Sequence, residues 1–412
     1  MSDAAVIDLD AATGVTQRRA APARWLTAVL VAASVLWLGG AGPPGPDLAP
    51  EHIVEGVFDR LILDSTHAFT VRGKSASSRI DAYGLGNGVH LWSTAVRGTV
   101  IRVLVESGVL LVSADDLVAL DAVTGRVRWR QRSASLLGNA AGVAVVTTTP
   151  GVLGGLDIGT GEPRWAADIS PSARTVIEYE PGRPRIIEMA DWYHDGTLDL
   201  RDPVTGELRR HLLIGRGADS VSDAYLVGGS LLLGETESAG IRWYEGQNGD
   251  AGSLPKIGYT STAGVVRCGA YACIGNNGGL TAIDLATGRQ VWHVDHWNVL
   301  RSLTPSVAVA FDATGVEGGY TGALIDPATG RVLDALTGWQ PTDATLGTQV
   351  ALWHRMPAGG VLMAVHNGQT GLRLVVGRLA GWQSAPTCEL NATFLACYGG
   401  EEMAVWRLPA PV

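Results

Sequence analysis

The chain has 412 residues, 54 of them Gly and 13 Trp, with 17% charged and 46% hydrophobic residues. Abundant small and β-branched residues with frequent glycine suit short strands joined by tight turns, so the length reads as one large repetitive all-β domain rather than two average ones. A net charge of -9, with no Lys/Arg cluster standing out beyond the N-terminal arginines, excludes a nucleic-acid partner, because phosphate neutralisation needs a basic patch.

Residues 1–24 read as a short cytoplasmic tail. Within it "VIDLDAATG" (6–14) has the letters of a turn that recurs later, but Arg18, Arg19 and Arg24 follow it and then an apolar stretch. That stretch, "WLTAVLVAASVLWLGGAG" (25–42), carries no charge for 18 residues. As a helix it spans about 27 Å, close to the thickness of a hydrocarbon core. The arginines before it and the acidic residues after it (Asp47, Glu51, Glu55, Asp59, Asp64) place the N-terminus in the cytoplasm and the rest outside. The expectation is a single-pass plasma-membrane protein. The alternative is secretion after signal cleavage near "GGA" (39–41). Residues 43–54, rich in Pro and Gly, read as a spacer, and 55–412 as the extracytoplasmic domain. Of the 31 basic residues only Lys74 and Lys256 are lysines, a bias of GC-rich, actinobacterial-type genomes.

The domain repeats. Turn glycines Gly88, Gly125, Gly161, Gly206, Gly249, Gly288, Gly330 and Gly371 are spaced 37, 36, 45, 43, 39, 42 and 41 residues apart. A β-rich period near 40 implies propeller blades, small antiparallel sheets that must stack to bury their faces. In "LDAVTGRVRW", Asp121 can accept backbone N–H bonds from the turn and Gly125 supplies a positive φ. A tryptophan follows four residues after the glycine at Trp92, Trp129, Trp165 and Trp292. Burying one removes about 150–250 Å² from water, roughly 4–6 kcal/mol as an upper figure, so one per blade can staple adjacent sheets. The residues given this turn-and-docking role are Asp121, Gly125 and Trp129; Asp157, Gly161 and Trp165; and Asp284, Gly288 and Trp292. Arg210 and Asp334 stand where two further tryptophans are due, so docking there must differ.

The pattern AxDxxTGxxxW, in "ALDAVTGRVRW" and "AIDLATGRQVW", resembles the pyrroloquinoline-quinone-like (PQQ-like) propeller repeat of quinoprotein dehydrogenases and of non-catalytic propellers of the outer-membrane assembly lipoprotein type. The resemblance implies a propeller of four-stranded blades, eight by the count of turn signals or seven if one is an insertion. "TFLACYGGEEMAVWRLP" near the C-terminus is expected to close the ring with strands from 55–92.

Four cysteines form two local pairs in matching repeat contexts, which in an exported domain suggests disulfides Cys268–Cys273 and Cys388–Cys397, although four cysteines allow three connectivities and zinc ligation is the rival. The vicinal disulfide, calcium site and catalytic Asp of quinoproteins are not recognisable. "HVDHWN" (293–298) reads as a strand with His293 and Asp295 on one face and His296 on the other; "DWYHDGTLD" (191–199) places Asp191, His194 and Asp195 around a turn. No Ser/His/Asp spacing or metal motif stands out, so no catalytic, cofactor-binding or metal-ligating residue is assigned. The expected function is therefore a membrane-anchored, non-catalytic binding or scaffolding module for envelope or secreted proteins or ligands. The alternatives are a quinone-dependent dehydrogenase-like enzyme and a ligand sensor coupled to a cytoplasmic partner.

Overall fold

The structure is a computed structural model that describes residues 49–409, apart from 74–75, 149–150, 171–172, 181–182, 191–196, 214–220, 228–229, 236–239, 246–249, 254–264, 269–270, 277–278, 286, 288, 305, 313–321, 358, 381, 383–384 and 400. The segments read as tail (1–24) and membrane helix (25–42) lie outside the described residues, and so does the spacer as far as residue 48. Among the described residues no helix is long and apolar enough to cross a membrane.

The described strands form nine four-stranded antiparallel sheets. Eight are consecutive in sequence: blade 1 (60–97), blade 2 (102–132), blade 3 (134–168), blade 4 (174–213), blade 5 (221–253), blade 6 (265–294), blade 7 (299–335) and blade 8 (340–379). Blade 9 is composite. Its first three strands are Thr387–Leu390, Phe394–Gly399 and Glu402–Arg407, and its fourth is His52–Glu55 from the other end of the domain. Each sheet touches the next, and the first strand of blade 9 touches that of blade 1, Arg60–Leu63, so the ring closes.

The expected eight blades, or seven, are thus corrected to nine sheets. Each turn signal marks the hairpin between a third and a fourth strand. Blade 9 lacks that hairpin because its fourth strand arrives separately, pairing His52 with Val405 and Glu55 with Glu402. The closing partner is not a strand from 60–97, which form a complete blade of their own. It is His52–Glu55, most of which falls within the stretch 43–54 expected to be a spacer.

Blade packing follows from strand alternation. The second strand of blade 2, Val109–Ser113, is buried throughout. Leu110 and Val112 face Phe69, Ile80 and Trp92 of blade 1. Val109 and Leu111 face Leu136, Ala144 and Val146 of blade 3. A strand buried on both faces reads as an unbroken apolar run, which is why "VLLV" shows no polar alternation. Each such Leu or Val stabilises the stack by roughly 1.5–3 kcal/mol relative to exposure.

Candidate functional site

The most repetitive chemistry in the chain holds blades together. Asp121 heads a turn in which its Oδ1 accepts N–H bonds from Val123 (3.2 Å) and Thr124 (2.9 Å), while Arg128 donates to Oδ2 at 2.7 Å. These hydrogen bonds, that of Arg128 foremost, hold the Asp121 carboxyl down at about 2. Asp157 is built the same way, with Gly159, Thr160 and Arg164 as donors, and its pKa is lowered for the same reason. Gly125 closes the first turn at φ 69°. Against it stands Trp92 of the preceding blade, whose Nε1 donates to the Ala122 carbonyl at 3.1 Å. The unit recurs at three further seams. Trp129 donates to Ile158 (2.8 Å) beside Gly161, Trp165 to Pro203 (3.1 Å) beside Gly206, and Trp292 to Pro327 (3.0 Å) beside Gly330. Asp284 opens the equivalent turn of blade 6, its N–H donating to the Arg289 carbonyl, but Gly288 lies outside the described residues, as does Gly249.

Where the tryptophan is missing the seam changes character. At the blade 7–8 seam Asp334 reaches Arg373 (3.4 Å) and His366 (3.7 Å), and a Cβ at Gly371 would meet nothing within 4 Å. His366 is fully buried immediately before the turn-heading Asn367, the place held by Leu120, Leu156, Ile283 and Ile325 in other blades. Burial lowers its pKa, with the Asp334 charge opposing and Arg373 reinforcing the shift. At the closing seam His52 stands beside Gly88 in the tryptophan's stead.

Cys268 is bonded to Cys273 and Cys388 to Cys397, each bridge joining the first and second strands of its blade, and all four cysteines are buried. The "HVDHWN" reading is corrected, since the strand is Gln290–Val294 and Asp295 and His296 lie in the turn after it. His293 contacts Thr281 and His296 contacts Asp295, so the groups do not converge. Asp191, His194 and Asp195 lie outside the described residues. Among the described residues no three metal-ligating side chains gather.

Two constellations escaped the sequence reading because sheet register, not sequence spacing, assembles them. Ser93 lies 2.5 Å from Asp81, and His90 Nε2 lies 2.8 Å from Ser93. The wiring is not that of an activated nucleophile. The hydroxyl donates directly to the carboxylate, His90 meets both Ser93 and, at 3.4 Å, Asp81 through the same Nε2 instead of bridging them through its two nitrogens, and Asp81 is clamped by Arg79 (2.7 Å) and Arg72 (3.0 Å). Burial raises the pKa of Asp81, yet the hydrogen bonds and charges around it win and lower it overall. On the first strands of blades 8 and 9, Glu389 neighbours Asp343; burial first, and that negative charge second, push Glu389 up to about 7.

The outer rim combines exposed aliphatic and basic side chains. The fourth strands of the blades expose aliphatic side chains at Ile53, Leu91, Val127, Leu208, Val291, Leu333 and Leu374. In blade 2 the strand Val127–Arg132 also carries arginines at 128, 130 and 132, with Arg126 just before it, all exposed. The expectation that no basic cluster stands out beyond the N-terminus is thereby corrected. Net charge conceals a local row in an acidic chain.

A protein-family model described as outer membrane protein assembly factor BamB matches residues 76–228. Among solved structures, the chain is similar to BamB from Moraxella catarrhalis at 18% identity, covering 88% of this chain and 100% of that chain with a TM-score of 0.48. It is similar to the computationally designed Ika8 protein at 14% identity, with 88% and 100% covered and a TM-score of 0.50. Similarity to quinohemoprotein alcohol dehydrogenase from Comamonas testosteroni is at 13% identity, with 89% and 76% covered and a TM-score of 0.46. A search of curated proteins finds no match. Likeness at such identities is one of fold. With the ring of sheets, the family-model match gives this chain the PQQ-like-repeat β-propeller fold.

Proposed function

We propose that the chain is a membrane-tethered, extracytoplasmic propeller that binds or scaffolds envelope proteins without catalysing a reaction, anchored by residues 25–42. The observation that supports this reading most is the rim. Outermost strands whose outer edge pairs with no described strand carry exposed aliphatic side chains in seven of the nine sheets, and extended partner segments engage surfaces of this kind. The family model's description as an assembly factor supports protein partners in the same sense. Of the cluster weighed as a polar site in the sequence, His293 is engaged with Thr281, and the repeated aspartates Asp121 and Asp157 are engaged in their turns.

The test is cross-linking of the tagged full-length protein in its native cells, followed by identification of what is bound. The reading expects one or a few envelope proteins at defined stoichiometry. Capture of none, or dye reduction by the purified protein on adding quinone and calcium, would overturn it.

A further inference from the structure

We infer that the outer edge of blade 2 is a strand-addition site for an extended acidic segment of a partner protein. The inference rests on the partner-binding reading above and says where and by what chemistry one partner is read. The strand Val127–Arg132 pairs on one side with Asp116–Asp121, from Leu120 opposite Val127 to Asp116 opposite Arg132. It ends its sheet, so its other edge pairs with no described strand.

Arg128 lies at an irregularity of the ladder, where Val127 and Trp129 oppose the consecutive Leu120 and Ala119; beyond it side chains alternate, so Arg130 and Arg132 share a face while Trp129 turns the opposite way, into the blade 3 turn. Arg128 is occupied by Asp121. Arg126, Arg130 and Arg132 make no ion pair with any described residue, in a chain whose net charge is -9. Asp116, opposite Arg132 in register, directs its carboxylate to the Ser133 N–H instead.

Charges on an edge strand ordinarily guard against unwanted pairing, and this row does guard against one partner, since a second copy of the edge would set arginine against arginine. The same row favours a strand with carboxylates at every second position, which would meet an arginine about every 6.7 Å while its backbone completes the sheet. A polyphosphate or an anionic glycan matches the charge but offers no peptide groups in that register. Arg164 and Arg209 hold the place of Arg128 in blades 3 and 4, each paired with its turn aspartate, but Ala166 and His211 stand at the place of Arg130 and Asp168 and Leu213 at that of Arg132, so the unpaired arginines of blade 2 are specific to its sector.

The probe is a fluorescent ten-residue peptide alternating Glu and Val, titrated by anisotropy against the full chain in nanodiscs. Saturable binding is expected, weakened at least tenfold in the Arg130→Glu/Arg132→Glu chain and less than threefold in Arg130→Lys. Peptides N-methylated on one set of alternate amides should lose at least tenfold, and those methylated on the other set less than twofold, a comparison that leaves the protein unaltered. No binding, equal binding of both methylated series, equal binding of polyphosphate, or indifference to Arg130→Glu/Arg132→Glu would overturn the assignment. Partner capture from native cells that persists undiminished in that double variant would also sink this edge, while leaving the partner-binding reading in place.

Discussion

Trp92 stands so close to Gly125 of the next blade that a Cβ there would fall 2.5 Å from the indole. The glycine is required twice, by its φ of 69° and by the ring against it. Gly371, at φ 71°, is required only once, because no atom lies within 4 Å of its hypothetical Cβ. Gly371→Ala should therefore cost about 1 kcal/mol and Gly125→Ala about 3 kcal/mol or more. Urea unfolding of the two variants checks the difference, and equal losses would mean that the tryptophan does not press on the turn.

The contrast shows what the sequence made legible. A strand–turn–strand signal with a tryptophan at fixed offset announces a repeated seam, because local turn chemistry and the docking residue lie within eleven letters. The blade count was not legible, since it depends on His52–Glu55 pairing with a strand some 350 residues away and leaving no hairpin to count. Likewise Asp81, His90 and Ser93, or Asp334 and His366, meet only once register and blade order are set. Local letters carry the turn; long-range pairing carries the site.

His366 makes the blade 7–8 seam acid-sensitive. Its pKa is lowered on folding, so its contribution is complete above the unfolded value of about 6.5 and is lost as pH falls from there through the folded pKa. His366→Leu, which installs the residue type of Leu120, should flatten this dependence and raise stability at pH 5 relative to pH 8. Thermal unfolding at the two values decides. A variant whose pH profile follows the parent would remove His366 as the cause.

Glu389 acts in the opposite sense. The folded state keeps its proton to about 7, whereas an ordinary glutamate releases it near 4.5, so stability falls as pH rises across that window. Glu389→Gln should relieve about 2–3 kcal/mol above pH 7 and little below pH 4.5. An unchanged difference between pH 5 and pH 8 would contradict the placement of Glu389 beside Asp343.

The Cys388–Cys397 bridge ties the first two strands of the blade that closes the ring. Its loop is short, so replacing both cysteines with Ala should cost about 2–3 kcal/mol. The loss should be accompanied by faster amide exchange in His52–Glu55, which belongs to the same sheet. Loss of stability with unaltered exchange in that strand would place the weakness elsewhere.

The most direct measurement of the central claim is photo-cross-linking in native cells, with the reactive residue placed in turn at the exposed rim positions 127, 208, 333 and 374 of the full-length chain. A rim that binds envelope proteins predicts a discrete adduct, of the same partner, from two or more of these positions. Absence of any adduct at all four, with the protein present at native abundance, would contradict it.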